Sequence, residues 1–215
     1  MPLTCKAILF DFDGVIINSE PVYERHWKDW AEEHGASFEH IISIHHGIPA
    51  IRTISIAAPH VDAAYEADQF QYRCVGDLDG LIAYEGIKDV LPNLPTDRWA
   101  IVTSSYRTMV GSQLDYLELP RPEVLVTVDD VTQGKPHPEP YLKAAAALGI
   151  ELADCVVIED SPAGISAGKK AGAQVIGVTT TKTADKLTEA DVVVSAFAEL
   201  RIDIGPGDSI EISWR

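Results

Sequence analysis

A chain of 215 residues, nearly half of them apolar, is long enough for one large core or for a core with a smaller appended unit. Its formal charge of −16 argues against unaided binding to nucleic acid or to an anionic membrane surface, because like charges repel. Cys5, Cys74 and Cys155 are odd in number and lack CxxC spacing, which excludes a disulfide framework or zinc cluster and fits a reducing, cytoplasmic setting.

In chain order, the first apolar run, in "CKAILFDFD", stops at Asp11 and Asp13, with Gly14 directly after. Residues 17–85 then carry aromatic, charged, helix-patterned stretches ("EPVYERHWKDWAEEHG", "AIRTISIAAPHV", "AAYEADQFQYRCVGDLDGL") without a buried-strand run. Trp27 and Trp30 share one helical face there, as core residues would. Further apolar runs follow in "RWAIVTSS", "VLVTVDD", "DCVVIED", "QVIGVTT" and "DVVVSAF". Runs without polar alternation are buried on both faces, the habit of parallel sheets. Helical stretches such as "PEPYLKAAAALG" and "SPAGISAGKKAG" lie between them, and "GPGDSIEISWR" reads as a turn plus a terminal strand. The expected fold is α/β: a doubly wound, Rossmann-like parallel-sheet core of residues 1–16 and 86–215, with residues 17–85 inserted as a helical cap over the loop that holds Asp11 and Asp13. No targeting signal or apolar stretch of roughly 20 residues is found, so a soluble, untargeted protein is expected.

Ligands of open parallel sheets bind beyond the carboxyl ends of the strands. The polar residues at those ends are Asp11 and Asp13, then Thr103, Ser104 and Ser105, then Lys135 in "VTQGKPHPEP", then Glu159 and Asp160. Carboxylates this crowded need a cation among them, and Mg²⁺, which takes oxygen ligands and shares its site with phosphate, is the natural one. A phosphate beside it would gain from Lys135, the Thr103 hydroxyl and backbone N–H groups. One carboxylate is then free to attack phosphorus, and a second can protonate the leaving oxygen and later activate water.

"DFDGV", "VTSS", "GKPHPEPY" and "VVIEDSPAGISAGKKAG" resemble, in order and spacing, the four motifs of the haloacid dehalogenase superfamily. The resemblance implies that Asp11 is the nucleophile, Asp13 the general acid/base and Thr103, Ser104 and Lys135 the phosphate binders. It also makes Asp11, Asp13 through its carbonyl, and Asp160 the magnesium ligands, with Glu159 helping directly or through water. An acid at position 13 implies phosphate esters rather than halides or phosphonates. "IHHG", "AAPHVD", "VTSSYRTM" and "DDVTQGKPHPEPYLK" are most similar to glycerol-phosphate and deoxysugar-phosphate phosphatases. Asn18 stands where such relatives often carry an acid, and Ile51 where many carry arginine. Glu20, His46 and Arg52 are the cap's candidate substrate contacts.

The residues also admit plainer readings. Asp11 and Asp13 suit a strand-closing Asx turn, Thr103 and Ser104 a helix cap, and Glu159–Asp160 a helix start. The histidines lack a paired metal-ligand spacing, so hydrogen bonds to substrate are expected of them rather than zinc. The expected function is a magnesium-dependent hydrolase of small polyol or sugar phosphates, with a small-molecule phosphate ester as its partner. A monomer is expected, with a dimer as alternative. A sugar phosphomutase, holding a bisphosphate through Arg52 or Arg73, and a catalytically silent sugar-phosphate sensor are the rival readings.

Overall fold

The computed structural model describes residues 2–205 and 209–215. Lys6 alone separates β1 (Leu3–Cys5) from β2 (Ala7–Phe10), and a tight turn through residues 11–14 leads to the two-residue β3 (Ile17–Asn18). Four helices follow: α1 (Glu20–His34), α2 (Phe38–Ile44), α3 (Ala50–Ala57) and α4 (Ala63–Val75). β4 (Ile82–Ala83) then pairs antiparallel with β3, so the chain leaves and re-enters the core along one short ladder. After α5 (Ile87–Val90) come β5 (Trp99–Val102), α6 (Arg107–Tyr116), β6 (Val124–Val126), α7 (Glu139–Leu148), β7 (Cys155–Glu159) and α8 (Pro162–Ala171). The chain closes with β8 (Gln174–Val178), β9 (Val192–Val194), β10 (Leu200–Ile204) and β11 (Ile210–Trp214).

Six strands form one sheet in the order β6-β5-β2-β7-β8-β9, every adjacent pair parallel. The six apolar runs of the sequence are these strands. β2, β5 and β7 are buried at every residue, which is why they show no polar alternation. Alternate residues feed two cores. Ala7, Leu9, Ala100 and Val157 face α7 and α8, whose Ala144, Ala145 and Ala167 let helix and sheet approach closely, whereas Ile8, Phe10, Trp99 and Val156 pack on the other side. From β2 the chain crosses to β5 and β6 on one flank and then returns to β7, β8 and β9 on the other. The reversal falls at the carboxyl end of β2, the place where such sheets bind ligands.

α1 to α4 enclose a separate apolar cluster of Trp27, Trp30, Ile41, Ile54 and Phe70, reached from the sheet side by Met109 of α6. Trp27 stacks on Phe70 with centroids 3.9 Å apart. α4 is capped by Asp62, which accepts the N–H groups of Ala64 and Tyr65.

Two features differ from the sequence reading. Residues 17–85 do contain strand, the β3/β4 ladder, but two residues are too few to show a period. β1 is not continuous with β2; it pairs with β11, which pairs in turn with β10 in a three-stranded antiparallel sheet. β10 was not visible as an apolar run because Leu200 alone of its residues is buried. β11 is the expected terminal strand, and part of the turn expected before it, at residues 206–208, lies outside the described residues. All three cysteines are free and buried, and no helix among the described residues is long and apolar enough to cross a membrane.

Candidate active site

The carboxyl ends of β2, β5 and β7 bring Asp11, Thr103, Glu159 and Asp160 together, all buried. Asp11 extends the β2 ladder, its N–H donating to Ile158 O at 2.9 Å. Its Oδ1 accepts the N–H of Phe12 at 2.8 Å and lies 2.8 Å from Lys135 Nζ. Among the described residues Oδ2 accepts no hydrogen bond, and Asp11 lines the cavity beneath the helical insert.

Lys135, from the loop before α7, is 2 % exposed. A buried ammonium must find acceptors for its protons. It donates to Val102 O at 3.0 Å and Glu159 Oε1 at 2.6 Å and pairs with Asp11, so all three protons are engaged inside the protein. Burial would lower its pKa, but Asp11 and Glu159 outweigh that and push it above the ordinary lysine range. Glu159 is equally saturated. Oε1 also accepts the Tyr141 hydroxyl at 2.9 Å, and Oε2 accepts the N–H groups of Asp160 and Ser161 and the Ser161 hydroxyl. Burial opposes its ionisation, but Lys135 and these donors hold its pKa below the ordinary value. Gly164, in the first turn of α8, is where Glu159 lies, and a Cβ there would overlap its carboxylate.

Asp160 accepts the Thr181 hydroxyl on Oδ2. Burial, then the charge of Glu159, raises its pKa to about 7, and burial followed by Glu159 likewise raises Asp11. Gly14 explains how Asp160 comes so near the first turn: its φ is +82°, and a Cβ would collide with the Asp160 carboxylate. One oxygen each from Asp11, Glu159 and Asp160 lies within 4.8 Å of the other two, with one lysine to balance them. This oxygen-only set suits a hard divalent cation.

Asp13 also lines the cavity. Ser19 donates to its Oδ1 at 2.5 Å and Ser105 to its Oδ2 at 2.6 Å. With the Ser105 proton directed at a carboxylate, the Tyr23 hydroxyl 3.0 Å away is the donor to Ser105, giving a chain from α1 through Ser105 to Asp13. A hydroxyl can donate or accept, so these anchors persist whether Asp13 is ionised or protonated. Ser105→Ala is expected to lower kcat roughly tenfold with KM little changed, because Asp13 then keeps one anchor of two; steady-state kinetics on a folded variant checks this.

The cavity, about 800 Å³ with its open mouth, brings Thr103, Ser104 and Asn18 near these acids and Glu20, His45 and His46 at its helical wall. Thr103 Oγ1 accepts the Ser105 N–H at 3.0 Å, and Ser104 Oγ reaches Gly47 O at 3.4 Å, tying the strand end to the loop after α2. Glu20 and His46 line the cavity as expected, with 3.4 Å between Glu20 Oε1 and His46 Nε2. Burial alone would raise Glu20, but the two imidazoles beside it bring it down to about 2. Arg52 departs from expectation. Ala50 is the residue of α3 that lines the cavity, and Arg52, two positions on and about 200° round the helix, is exposed and outside it. Arg73 is also outside, paired with Glu33 at 2.8 Å. Among the described residues no lysine or arginine lines the cavity. Sequence reasoning also missed Ser19, Tyr23, Tyr141 and Thr181. No motif spacing distinguishes them, because their partners lie between 6 and 86 residues away and are brought near only by the fold; a hydroxyl near a strand end was the one signal available.

A family model described as haloacid dehalogenase-like hydrolase matches residues 8–178. Hexitol phosphatase A of Escherichia coli is 34% identical over 215 residues, covering 98% of this chain and 100% of the relative. Glycerol-1-phosphate phosphohydrolase 1 of Saccharomyces cerevisiae is 35% identical over 227 residues, covering 94% and 89%. The solved structure of CbbY from Rhodobacter sphaeroides in complex with phosphate superposes with a TM-score of 0.78 at 22% identity, over 91% of this chain and 96% of that one. Matched by that model over most of its length and about a third identical to those relatives, the chain belongs to the haloacid dehalogenase-like hydrolases.

Proposed function

We propose that the chain is a magnesium-dependent phosphomonoesterase that hydrolyses small polyol or sugar phosphates through a phosphorylated Asp11. The observation that carries this is the division of labour within Asp11: Oδ1 is held by the Phe12 N–H and Lys135, while Oδ2 is unpaired on a carboxylate that lines the cavity. Asp11 and Asp160, with the Asp13 carbonyl, would hold Mg²⁺, because Glu159 already has a protein donor on each oxygen. When bound, the cation offsets the charge of the carboxylates and of the phosphate brought among them.

In the first half-reaction Asp11 Oδ2 forms a bond to phosphorus, the bond from phosphorus to the ester oxygen breaks, and Asp13 gives its proton to the departing alkoxide. In the second, Asp13 takes a proton from water as that water attacks the phosphoryl group, and the bond to Asp11 breaks, restoring the free carboxylate. Lys135, expected from the sequence to bind phosphate, has no proton to spare and is assigned instead to aiming Asp11. Phosphate oxygens are left to Thr103, Ser104 and backbone N–H groups of the two turns. Residues 17–85 serve as the cap, hinged at the β3/β4 ladder and excluding bulk water.

The substrate's far end meets Glu20 and His46, with no lysine or arginine on the cavity wall. A hydroxylated neutral tail suits that wall, and a second phosphate would face a carboxylate, which disfavours the mutase reading. The names of the relatives, hexitol phosphatase and glycerol-1-phosphate phosphohydrolase, point to the same substrate class.

Phosphate release is the test, measured with Mg²⁺ and with a chelator. Glycerol, hexitol and deoxyhexose monophosphates should be hydrolysed only with the cation, and a hexose bisphosphate much more slowly. Conversion of a hexose 1-phosphate to its 6-phosphate, or no hydrolysis of any of these esters, would overturn the reading. Metal removal has a further consequence. Since the folded pKa of Asp160 is raised from 3.8 to about 7, metal-free protein loses stability as pH rises across that interval, where the unfolded carboxyl ionises while the folded one keeps its proton. The rise in Tm on adding Mg²⁺ is therefore expected to be larger at pH 8 than at pH 5, and differential scanning calorimetry measures it.

A further inference from the structure

The helical wall of the cavity carries a second cluster of donor atoms that the proposed reaction does not use as a metal centre. Glu20 opens α1, and His45 and His46 follow α2 directly. One donor atom from each of the three lies within 4.8 Å of the other two. Glu20 Oε1 is 3.4 Å from His46 Nε2 and 3.8 Å from His45 Nε2. His45 is 8 % exposed, and its buried Nε2 has no hydrogen-bond partner among the described residues. A buried ring nitrogen without a hydrogen bond, beside a carboxylate and a second imidazole, is a position that a cation would satisfy.

Two imidazoles and one carboxylate are a donor set that zinc takes at three-ligand sites, with a fourth position left for water or substrate. Bond lengths of about 2.0–2.2 Å in a tetrahedron place donor atoms roughly 3.3 Å apart. The separations of 3.4 and 3.8 Å lie at and just beyond that value. Mg²⁺ prefers oxygen donors and octahedral geometry, so this nitrogen-rich corner discriminates against it. Lys182, whose charge reaches His45, opposes a cation there, and the Glu20 carboxylate offsets it.

We propose that Glu20, His45 and His46 form a binding site for Zn²⁺ or a similar nitrogen-seeking divalent cation, distinct from the carboxylate centre at Asp11 and Asp160. All three line the cavity, so the cation's open position faces the space assigned to the substrate tail. Zinc therefore inhibits phosphate release in competition with substrate. The inhibition rests on the proposed function, whereas the binding does not.

The test is equilibrium dialysis of metal-stripped protein against Zn²⁺ alone, with Co²⁺ as a spectroscopic substitute in the presence of excess Mg²⁺. The Asp160→Asn variant, which impairs the carboxylate centre, is expected to bind one Zn²⁺ as the unaltered chain does and to show the visible bands of nitrogen-ligated Co²⁺. His45→Ala and His46→Gln are each expected to weaken binding by roughly 100-fold or more, beyond what loss of an outer-shell partner costs. Metal-free melting curves of both establish that they fold, and either variant alone suffices if the other does not. Zinc binding unchanged in a folded histidine variant, zinc binding abolished by Asp160→Asn, or no zinc bound in excess Mg²⁺ would each overturn the proposal. Phosphate release by the Mg²⁺-loaded chain in zinc-free buffer is read separately, so failure of the zinc site leaves the phosphatase reading to its own assay.

Discussion

Asp11→Asn is expected to abolish turnover, lowering kcat on the order of 10³-fold or more, the scale on which removal of a covalent nucleophile is felt. The amide nitrogen and oxygen occupy the space of the carboxylate, and the Phe12 N–H and Lys135 Nζ can still donate to the amide oxygen, so geometry is retained. Stability separates this from misfolding. Burial and the charge of Glu159 raise the pKa of Asp11 more than Lys135 lowers it. A group with a raised folded pKa costs stability as pH rises from its unfolded to its folded value, because the unfolded chain gives up the proton first, and the full cost remains above both. A neutral isostere removes that cost, so at pH 8 the metal-free variant is expected to melt no lower than the unaltered chain. Steady-state phosphate release and calorimetry together check this, and an inactive variant that melts well below the unaltered chain would contradict it.

Lys135→Met should have the largest effect on stability of any single change at the site. The lysine is buried between Asp11 and Glu159 at 2.8 and 2.6 Å, and methionine fills much of its volume while removing the ammonium that two carboxylates and the Val102 carbonyl share. Breaking a buried ion pair from one side costs about 3–5 kcal/mol. For a chain of this size that is a fall in Tm of about 10 °C or more. The pH dependence follows from Glu159, whose folded pKa lies below its ordinary 4.5 while Lys135 is present. That contribution is present above the unfolded pKa and is lost as pH falls through the folded one. The deficit of the variant is therefore largest near neutral pH and shrinks in acid. Turnover should fall too, since Asp11 loses the donor that fixes Oδ1. Denaturant melts at pH 7 and pH 4 measure the first effect; a deficit that grows in acid would contradict the assignment.

Much of the architecture was legible because burial on both faces leaves an unmistakable mark. The six apolar runs became the six parallel strands, and Asp11, Thr103, Glu159 and Asp160, read only as residues ending those runs, meet at one rim. Family likeness over the four motifs covered the same ground. Partnership inside the site was less legible. Lys135 and Glu159 are 24 residues apart and join only where the loop before α7 meets the carboxyl ends of β5 and β7, so nothing local tells that the lysine's protons are spent on protein acceptors. "VTSS" offered two serines, and it is Ser105, not Ser104, that reaches Asp13, because Ser104 turns toward Gly47. The inserted helices were the hardest part. They were readable from their amphipathic pattern, and Trp27 and Trp30 do pack among them. Which turn of α3 faces the cavity depends on how the insert is set over the sheet, and that orientation sends Arg52 to solvent.

The account's charge balance is local. With a net charge of −16, the protein leaves an anionic substrate to backbone N–H groups, hydroxyls and whatever cation the carboxylates hold, since the buried lysine is engaged by Asp11, Glu159 and the Val102 carbonyl. On the helical wall of the cavity Glu20 stands with no lysine or arginine beside it among the described lining residues, so the proposed reaction is expected to select against doubly anionic esters.

The most direct measurement is a single-turnover reaction with a polyol phosphate in Mg²⁺, quenched in acid within the turnover and digested for peptide mass mapping. The account predicts one phosphoryl group on the peptide that contains Asp11, chased away by longer incubation in water at the rate of phosphate release. A phosphoryl group confined to any other peptide, or phosphate released at full rate with none of the protein labelled at any time, would contradict it.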